Sequence, residues 1–214
     1  MSEGPEVYIL SKAINNYYGY DKTTSFGKEL IIYNDNTSSI DGEIWSFGLS
    51  GKVKINDSNQ LIKITTDMIS GSIKDLKLKK DKAGGVDWMS TSKEDITSIV
   101  SSWTKSKKKL AGLLMDQTII AGIGIAWGSE ILFLANLRPD LKACDQDLTQ
   151  LAQSIFDIDT MIKSTYDTVL TSNPDKKIFI NEWYQNLYKI REMNIYKKGK
   201  KIDVLGRTWW IKND

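Results

Sequence analysis

The sequence predicts an α+β protein with a strand-rich first part and a helix-rich second part. Three observations support this class. Short β-branched and aromatic segments fill residues 25–78, apolar residues recur at helical spacing from about residue 95 onward, and a Gly-Gly pair marks the change between the two patterns. A chain of 214 residues can form one large domain or two small ones, each with its own core.

The first predicted element is a helix, and strands follow it. Pro5 suits a first helical turn, Glu6 suits its positive end, and Val7, Leu10 and Ile14 recur at helical spacing. Asn, Asp and Gly turn signals then separate four predicted strands, Glu29–Tyr33, Glu43–Phe47, Lys52–Ile55 and Leu61–Ile64. Their short, regular spacing is typical of a β-sandwich or a β-barrel.

A linker from about Lys79 to Ser92 leads into the helical part. The predicted helices are Asp95–Trp103, Lys108–Gln117, Trp127–Ala135 and Leu148–Leu170. Ser92 and Asp95 form a predicted capping pair at the first of them. The segment Tyr188–Lys212 is predicted to be a hairpin with its turn near residues 197–200. The predicted domains are therefore 1–82, a linker at 83–93, 94–187 and 188–214.

The composition excludes several kinds of site. Histidine is absent and Cys144 is the single cysteine, so Ser-His-Asp, Cys-His and HExxH chemistry and an internal disulfide are excluded. Protons must then be moved by Asp, Glu, Lys or a terminal amine. We expect no metal, no cofactor and no membrane partner. The lone cysteine and the lack of a secretion signal predict a reducing intracellular compartment: cytoplasm or nucleoid, nucleus or viral factory.

The net charge of +2 does not by itself indicate nucleic-acid binding, but the cations are clustered. One cluster comprises Lys105, Lys107, Lys108 and Lys109. The second comprises Lys189, Arg191, Lys197, Lys198, Lys200, Lys201, Arg207 and Lys212. Either cluster can be a solvated face. The aromatic residues interleaved with the second cluster favour contact with phosphates and bases.

The amino terminus is a candidate nucleophile. A small second residue allows removal of Met1, which would leave the α-amine of Ser2 with a pKa of about 8 and an appreciable neutral fraction. Glu3 beside it is a candidate proton donor, so the pair suits Schiff-base chemistry at a sugar carbon. The alternative is that these residues only begin a helix.

The segment Leu110–Pro139 carries a resemblance to a known family. A helix that ends at Gly122-Ile-Gly124, followed by a helix bearing Glu130, resembles the helix–two-turn–helix element of the Fpg/Nei DNA glycosylases (formamidopyrimidine-DNA glycosylase and endonuclease VIII). Glycines at such a turn let backbone amides approach a DNA phosphate. The resemblance places Glu130 near the active amino terminus, while a core or surface glutamate is the alternative.

Other segments extend the resemblance over essentially the whole chain. It implies that Lys28 contacts the phosphate beside the scissile sugar and that Arg207 binds the phosphates at the flipped nucleotide, with surface charge as the alternative for both. It also implies that Leu49 fills the gap left by the extruded base, and that residues 85–89 lead out of a sandwich. The final hairpin lacks the family's four cysteines and resembles its zincless finger.

The resemblance implies a bifunctional reaction on flipped damaged DNA. The Ser2 amine attacks C1′, Glu3 supplies a proton, Glu6 holds the amine in place, and elimination cuts the strand. The chain departs from the family pattern in three further places. Serine replaces the usual proline, Ile125 replaces an asparagine, and residues 67–71 lack the intercalating Arg and Phe. Loss of these two intercalating residues predicts relaxed opposite-base discrimination and tolerance of single-stranded or bubble DNA.

The predicted function is therefore a DNA glycosylase/AP lyase, nearer the Nei side, that excises oxidised pyrimidines as a monomer. The alternative is a non-catalytic DNA-binding paralogue, which the departures from the pattern favour. Retention of Glu3, Glu6, Lys28, Glu130 and Arg207 together counts against that alternative. An RNA- or ribosome-associated protein with the same element is a third option, but it would not explain the amino terminus.

Overall fold

The computed structural model describes residues 3–18, 23–27, 29–33, 42–46, 53–58, 61–66, 85–172 and 193–213. The chain forms two compact units. One comprises Met1–Lys82 with Thr165–Ile190, and the other comprises Ala83–Ser164 with Arg191–Asp214. The sequence-based division instead assigns all of 94–187 to one domain. Within the first unit, Tyr166 lies close enough to Tyr8 for the two side chains to interact electrostatically.

The described strands and helix of the first unit follow the predicted order. Helix α1 is Gly4–Tyr18, and Val7 and Leu10 on it are fully buried. An antiparallel sheet of order β1-β2-β3 is formed by β1 (Thr23–Phe26), β2 (Glu29–Tyr33) and β3 (Gly42–Ser46). A separate antiparallel pair is formed by β4 (Val53–Ser58) and β5 (Leu61–Thr66). This mixture of helix and strand confirms the α+β class.

The second unit begins with a short parallel pair and continues in helices. Strand β6 (Val86–Asp87) pairs with β7 (Ile120–Ala121). The helices are α2 (Lys93–Trp103), α3 (Leu110–Leu114), α4 (Ile125–Leu134) and α5 (Leu151–Ser172), of which residues 151–164 belong to this unit, with a 3₁₀ turn at Ala143–Asp145. The described part of the predicted linker, residues 85–93, is therefore structured.

Local signals placed the start of α2 correctly. The Oγ atom of Ser92 accepts a hydrogen bond from the backbone N–H of Asp95 at 3.1 Å and donates one to the Asp95 carboxylate at 2.8 Å. This pair satisfies donors at the helix start that have no partner within the helix. The predicted capping pair is confirmed.

The carboxy-terminal hairpin consists of β8 (Lys200–Val204) and β9 (Arg207–Ile211), joined by the two residues Leu205 and Gly206. The predicted turn near residues 197–200 is wrong. Those residues belong to a separate turn before β8, in which the carbonyl of Ile195 accepts from the N–H groups of Lys198 and Gly199. Glycine is needed there because a Cβ at residue 199 would lie 2.3 Å from the carbonyl oxygen of Ile211.

The core of the second unit is rich in tryptophan. Trp88, Trp127 and Trp209 are almost completely buried. Helix α4 lies so close to β9 that a Cβ on Gly128 would be 3.0 Å from the Trp209 ring. The hairpin is therefore packed onto α4. None of the helices in the described ranges has both the length and the apolar character that spanning a membrane requires.

Candidate functional site

Two buried carboxylates lie at the start of α1. Glu3, which directly precedes the helix, is 3% exposed, and Glu6 in the first turn is completely buried. The backbone N–H of Glu3 donates to Oε2 of Glu6 at 2.8 Å, and the carbonyl of Glu3 accepts from the N–H of Val7 at 3.3 Å. The first bond is the one by which a glutamate in a capping box satisfies the residue before the helix.

This arrangement fixes the backbone next to the candidate nucleophile. Because Glu6 holds the amide nitrogen of Glu3, it restrains the peptide that joins Glu3 to the preceding residue. A buried carboxylate responds strongly to the charges and hydrogen bonds around it. Next to a reactive amine, such a carboxylate can hold or donate a proton. Ser2, Lys28 and Leu49, the other predicted site residues of this unit, lie outside the described residues.

The predicted phosphate-binding turn joins β7 to α4. Gly122 has a φ of 97°, a conformation that strongly favours glycine, and Gly124 is the N-cap residue of α4. No side chain caps α4 at Gly124. The positive end of the helix macrodipole therefore lies at this turn, an arrangement that favours an anion.

The side chain of Gln117, whose role the sequence pattern does not reveal, holds this turn together. Its Oε1 accepts from the N–H of Gly122 at 2.9 Å. Its Nε2 donates to the carbonyl of Ile123 at 3.0 Å and to that of Met115 at 3.2 Å. The only signal in the sequence is a polar side chain just before a run of apolar residues. Since the amide of Gly122 is engaged by Gln117, this glycine shapes the turn.

Glu130 lies on α4 and is completely buried. Its Oε2 accepts from the backbone N–H and the side-chain amide of Asn194, at 2.9 and 3.1 Å. Its Oε1 accepts from the N–H groups of Ile195 and Tyr196, both at 2.8 Å. The carboxylate thus ties α4 to the turn that precedes β8. Glu130 lies in the second unit, whereas Glu3 and Glu6 lie in the first. The predicted position of Glu130 near the amino terminus therefore stays a prediction.

Arg207 begins β9 and its side chain is exposed. It forms no hydrogen bond or ion pair within the described part of the chain, so its guanidinium can bind an external anion. On the same strand, the ring of Trp210 makes an edge contact with the ring of Tyr196, with 4.6 Å between centroids. Among the described residues no group of three or more His, Cys, Asp or Glu is placed to hold a metal ion.

One titratable side chain outside these groups is also buried. Asp159 on α5 is 5% exposed, and Nζ of Lys163 lies 2.8 Å from its Oδ2. Burial raises the pKa of Asp159, and the hydrogen bond and charge of Lys163 oppose that rise. Its Oδ1 has no hydrogen-bond partner among the described residues. No sequence pattern indicates this group, since an aspartate on a predicted amphipathic helix is normally solvated.

Comparison with known proteins identifies the part of the chain that contains the turn and Glu130. Residues 87–170 match the formamidopyrimidine-DNA glycosylase H2TH domain. The formamidopyrimidine-DNA glycosylase of Mycoplasma pneumoniae is 31% identical over 114 residues, which are 52% of this chain and 39% of the relative. That of Pasteurella multocida is 29% identical over 97 residues, which are 44% of this chain and 35% of the relative. The matches thus span well under half the length of these curated relatives.

Solved structures match almost the whole chain in fold. The Lactococcus lactis FPG mutant in a complex with Fapy-dG containing DNA has a TM-score of 0.64 at 16% identity, covering 98% of this chain and 97% of the other. The MutM (Fpg) protein from Thermus thermophilus has a TM-score of 0.62 at 12% identity, covering 97% and 96%. At these identities the likeness establishes a shared fold.

Proposed function

We propose that the chain is a member of the Fpg/Nei family and acts as a DNA glycosylase/AP lyase of base excision repair, a proposal supported by its H2TH match, its relatives and its shared fold. Its partner is damaged DNA, the ligand named for the Lactococcus lactis relatives. Oxidised pyrimidines are the proposed lesions, and single-stranded or bubble DNA is a proposed substrate beside the duplex. The proposed finger holds its shape through strand pairing and the packing of Trp209, without zinc.

The observation that carries this proposal is the hydrogen bond between the Glu3 amide and the Glu6 carboxylate. A protein that only binds DNA could use Glu6 to cap α1, but it has no evident need for Glu3 as a second buried carboxylate beside its amino terminus. An enzyme that forms a Schiff base needs its amine held in one place and a proton donor within reach. Glu6 is therefore proposed as the positioning residue and Glu3 as the acid.

In the proposed reaction the neutral α-amine of Ser2 attacks C1′ of the flipped nucleotide. The C1′–N bond to the damaged base breaks, and the base leaves with a proton. Glu3 protonates the sugar ring oxygen, which opens the ring and yields an imine between the amine and C1′. Loss of a C2′ proton then expels the 3′ phosphate by β-elimination, and a second elimination releases the 5′ phosphate. Water hydrolyses the imine and frees the amine.

The remaining predicted residues are proposed to hold DNA. Arg207 would bind phosphate at the flipped nucleotide, since it is exposed and has no competing carboxylate bonded to it in the described ranges. The turn at Gly122 and Gly124 would bring the positive end of α4 to a second phosphate. Lys28 is proposed to contact phosphate beside the scissile sugar, and Leu49 to fill the gap in the duplex.

Borohydride trapping tests the catalytic proposal. The protein is incubated with oligonucleotides that carry an abasic site, thymine glycol, a hydantoin or 8-oxoguanine, and covalent adducts are resolved by electrophoresis. Wild type should form an adduct, and acetylation of the amino terminus should abolish it. Glu3→Gln should retain the fold and lose base excision, and Glu6→Ala should lose trapping because the Glu3 amide then has no acceptor to hold it.

The control is Glu94→Gln, which removes an exposed carboxylate from the first turn of α2 and should leave trapping unchanged. Mass spectrometry of the adduct should place the cross-link on the amine of Ser2. If wild type binds abasic DNA tightly but no adduct or strand cleavage is seen, the chain is instead a damaged-DNA-binding paralogue. Base excision by Glu3→Gln and trapping by Glu6→Ala that both equal wild type would remove both carboxylates from the mechanism.

A further inference from the structure

The tip of the finger hairpin carries a leucine in a conformation that leucine rarely adopts. Leu205 has a φ of 56° and is followed by Gly206 with a φ of 70°. Two consecutive residues with positive φ are typical of a type I′ hairpin turn, where Asn-Gly is strongly preferred. In a left-handed residue the Cβ crowds the following carbonyl oxygen, so leucine is an unfavourable choice here. The turn alone therefore does not explain this residue.

Among the large apolar side chains of the described residues, that of Leu205 is the most exposed, at 63%. One side of it rests on α3, where a Cβ on Gly112 would lie 3.2 Å from the Leu205 Cδ1 atom. The absent side chain of Gly112 leaves room for this contact. Most of the rest of its surface is exposed, and apart from its two chain neighbours no atom lies within 4 Å of the position that a Cβ on Gly206 would occupy. The Leu205 side chain thus contacts α3 on one side and is otherwise largely exposed to solvent.

The charged side chains next to this apolar tip are Arg207 and Asp203. Arg207 is exposed two residues along the chain, at the first position of β9. The Asp203 carboxylate is turned toward the backbone of the hairpin, where its Oδ1 accepts from the N–H of Gly206 at 3.3 Å. An apolar tip beside an exposed arginine fits a DNA groove, where phosphates line the rim and sugars and bases lie within.

We propose that Leu205 is an apolar wedge that contacts the sugar and base edge beside the phosphate held by Arg207. This inference rests on the proposed DNA-binding function and adds to it a residue that positions the nucleotide. The unfavourable backbone conformation is retained because it holds the side chain at the foremost point of the hairpin. Side chains of leucine are among those that proteins insert between base steps.

Leu205→Asn separates a role in DNA binding from a role in folding. Asparagine suits the turn, so the melting temperature should stay the same or rise, whereas affinity for abasic-site DNA should fall about tenfold, the loss expected when one leucine leaves an apolar contact. Leu205→Met keeps an apolar side chain of similar reach and should retain affinity. Leu141→Asn, which alters another exposed leucine of the same unit, should change nothing.

Fluorescence then locates the contact. With 2-aminopurine placed in turn at each position around the abasic site, wild type should change the emission at one position next to the site. Leu205→Asn should lose that change while Leu141→Asn keeps it. Affinity equal to wild type, or a melting temperature that falls together with affinity, would overturn the assignment. If wild type itself neither binds nor is trapped by any of these DNAs, the proposed function fails, which is a different outcome from a fully active Leu205→Asn.

Discussion

Glu130→Gln is the substitution whose effect on stability can be worked out most directly from the structure. Each carboxylate oxygen of Glu130 accepts two hydrogen bonds, and all four donors belong to residues 194–196. A glutamine presents an NH₂ group where one oxygen was, so one pair of donors loses its acceptor whichever way the amide is turned. The charge that strengthens the other pair is also lost.

The expected cost follows from these bonds. Hydrogen bonds to a charged group contribute about 1.5–3 kcal/mol each, so losing two costs about 3–6 kcal/mol. Removing a buried charge offsets part of this because its desolvation no longer opposes folding. We expect a net loss of about 3 kcal/mol, which corresponds to a fall in melting temperature of roughly 6–12 °C for a chain of this length.

Thermal unfolding followed by tryptophan emission measures this change, because Trp127 and Trp209 report on the contact between α4 and β9. Hydrogen exchange of the amides of Ile195 and Tyr196 should accelerate in the variant. The matched control is again Glu94→Gln, with an expected change within about 0.5 kcal/mol of wild type. A Glu130→Gln protein as stable as that control, with protected amides at 195 and 196, would refute the assignment of Glu130 as the anchor of the hairpin.

Two further predictions concern buried positions. Because burial raises the pKa of Asp159 above its unfolded value, its ionisation opposes folding, and Asp159→Asn should be neutral or more stable at pH 7. As the pH falls through the raised pKa toward the unfolded value of 3.8, wild type should gain stability relative to the variant. Urea unfolding between pH 7 and 4 measures the difference in free energy of unfolding between the two proteins. If the Asp159→Asn variant instead became more stable relative to wild type as the pH fell, the raised pKa of Asp159 would be contradicted. Gly128→Ala should lose about 1–3 kcal/mol in the same assay, since its methyl group would press on the Trp209 ring, while exposed Ser98→Ala should not. Unchanged stability of Gly128→Ala would mean that the ring moves aside at no cost.

Much of the fold could be predicted from local pattern. The strands at 29–33 and 61–66, the capped start of α2 and the glycine turn before α4 all depend on residues close together in sequence, where side-chain period and turn chemistry act directly. The same signals misplaced the turn of the hairpin. A basic segment with a glycine at 197–200 resembles a turn, and it is one, but Leu205-Gly206 joins the strands. The sequence does not predict this turn, because Asn or Gly is expected where Leu205 stands.

The candidate site shows the same division. The pair of glutamates at the start of α1 and the lack of histidine could be read from the residues alone, because both are properties of residue type and spacing. The folded structure was needed to find that Glu130 binds residues 64 to 66 positions away, that Gln117 closes the glycine turn, and that Leu205 is exposed beside Gly112. A carboxylate or amide can satisfy any suitable donor or acceptor that folding brings near it. Which one it meets depends on how the helices and strands of the second unit pack, and no local pattern encodes that.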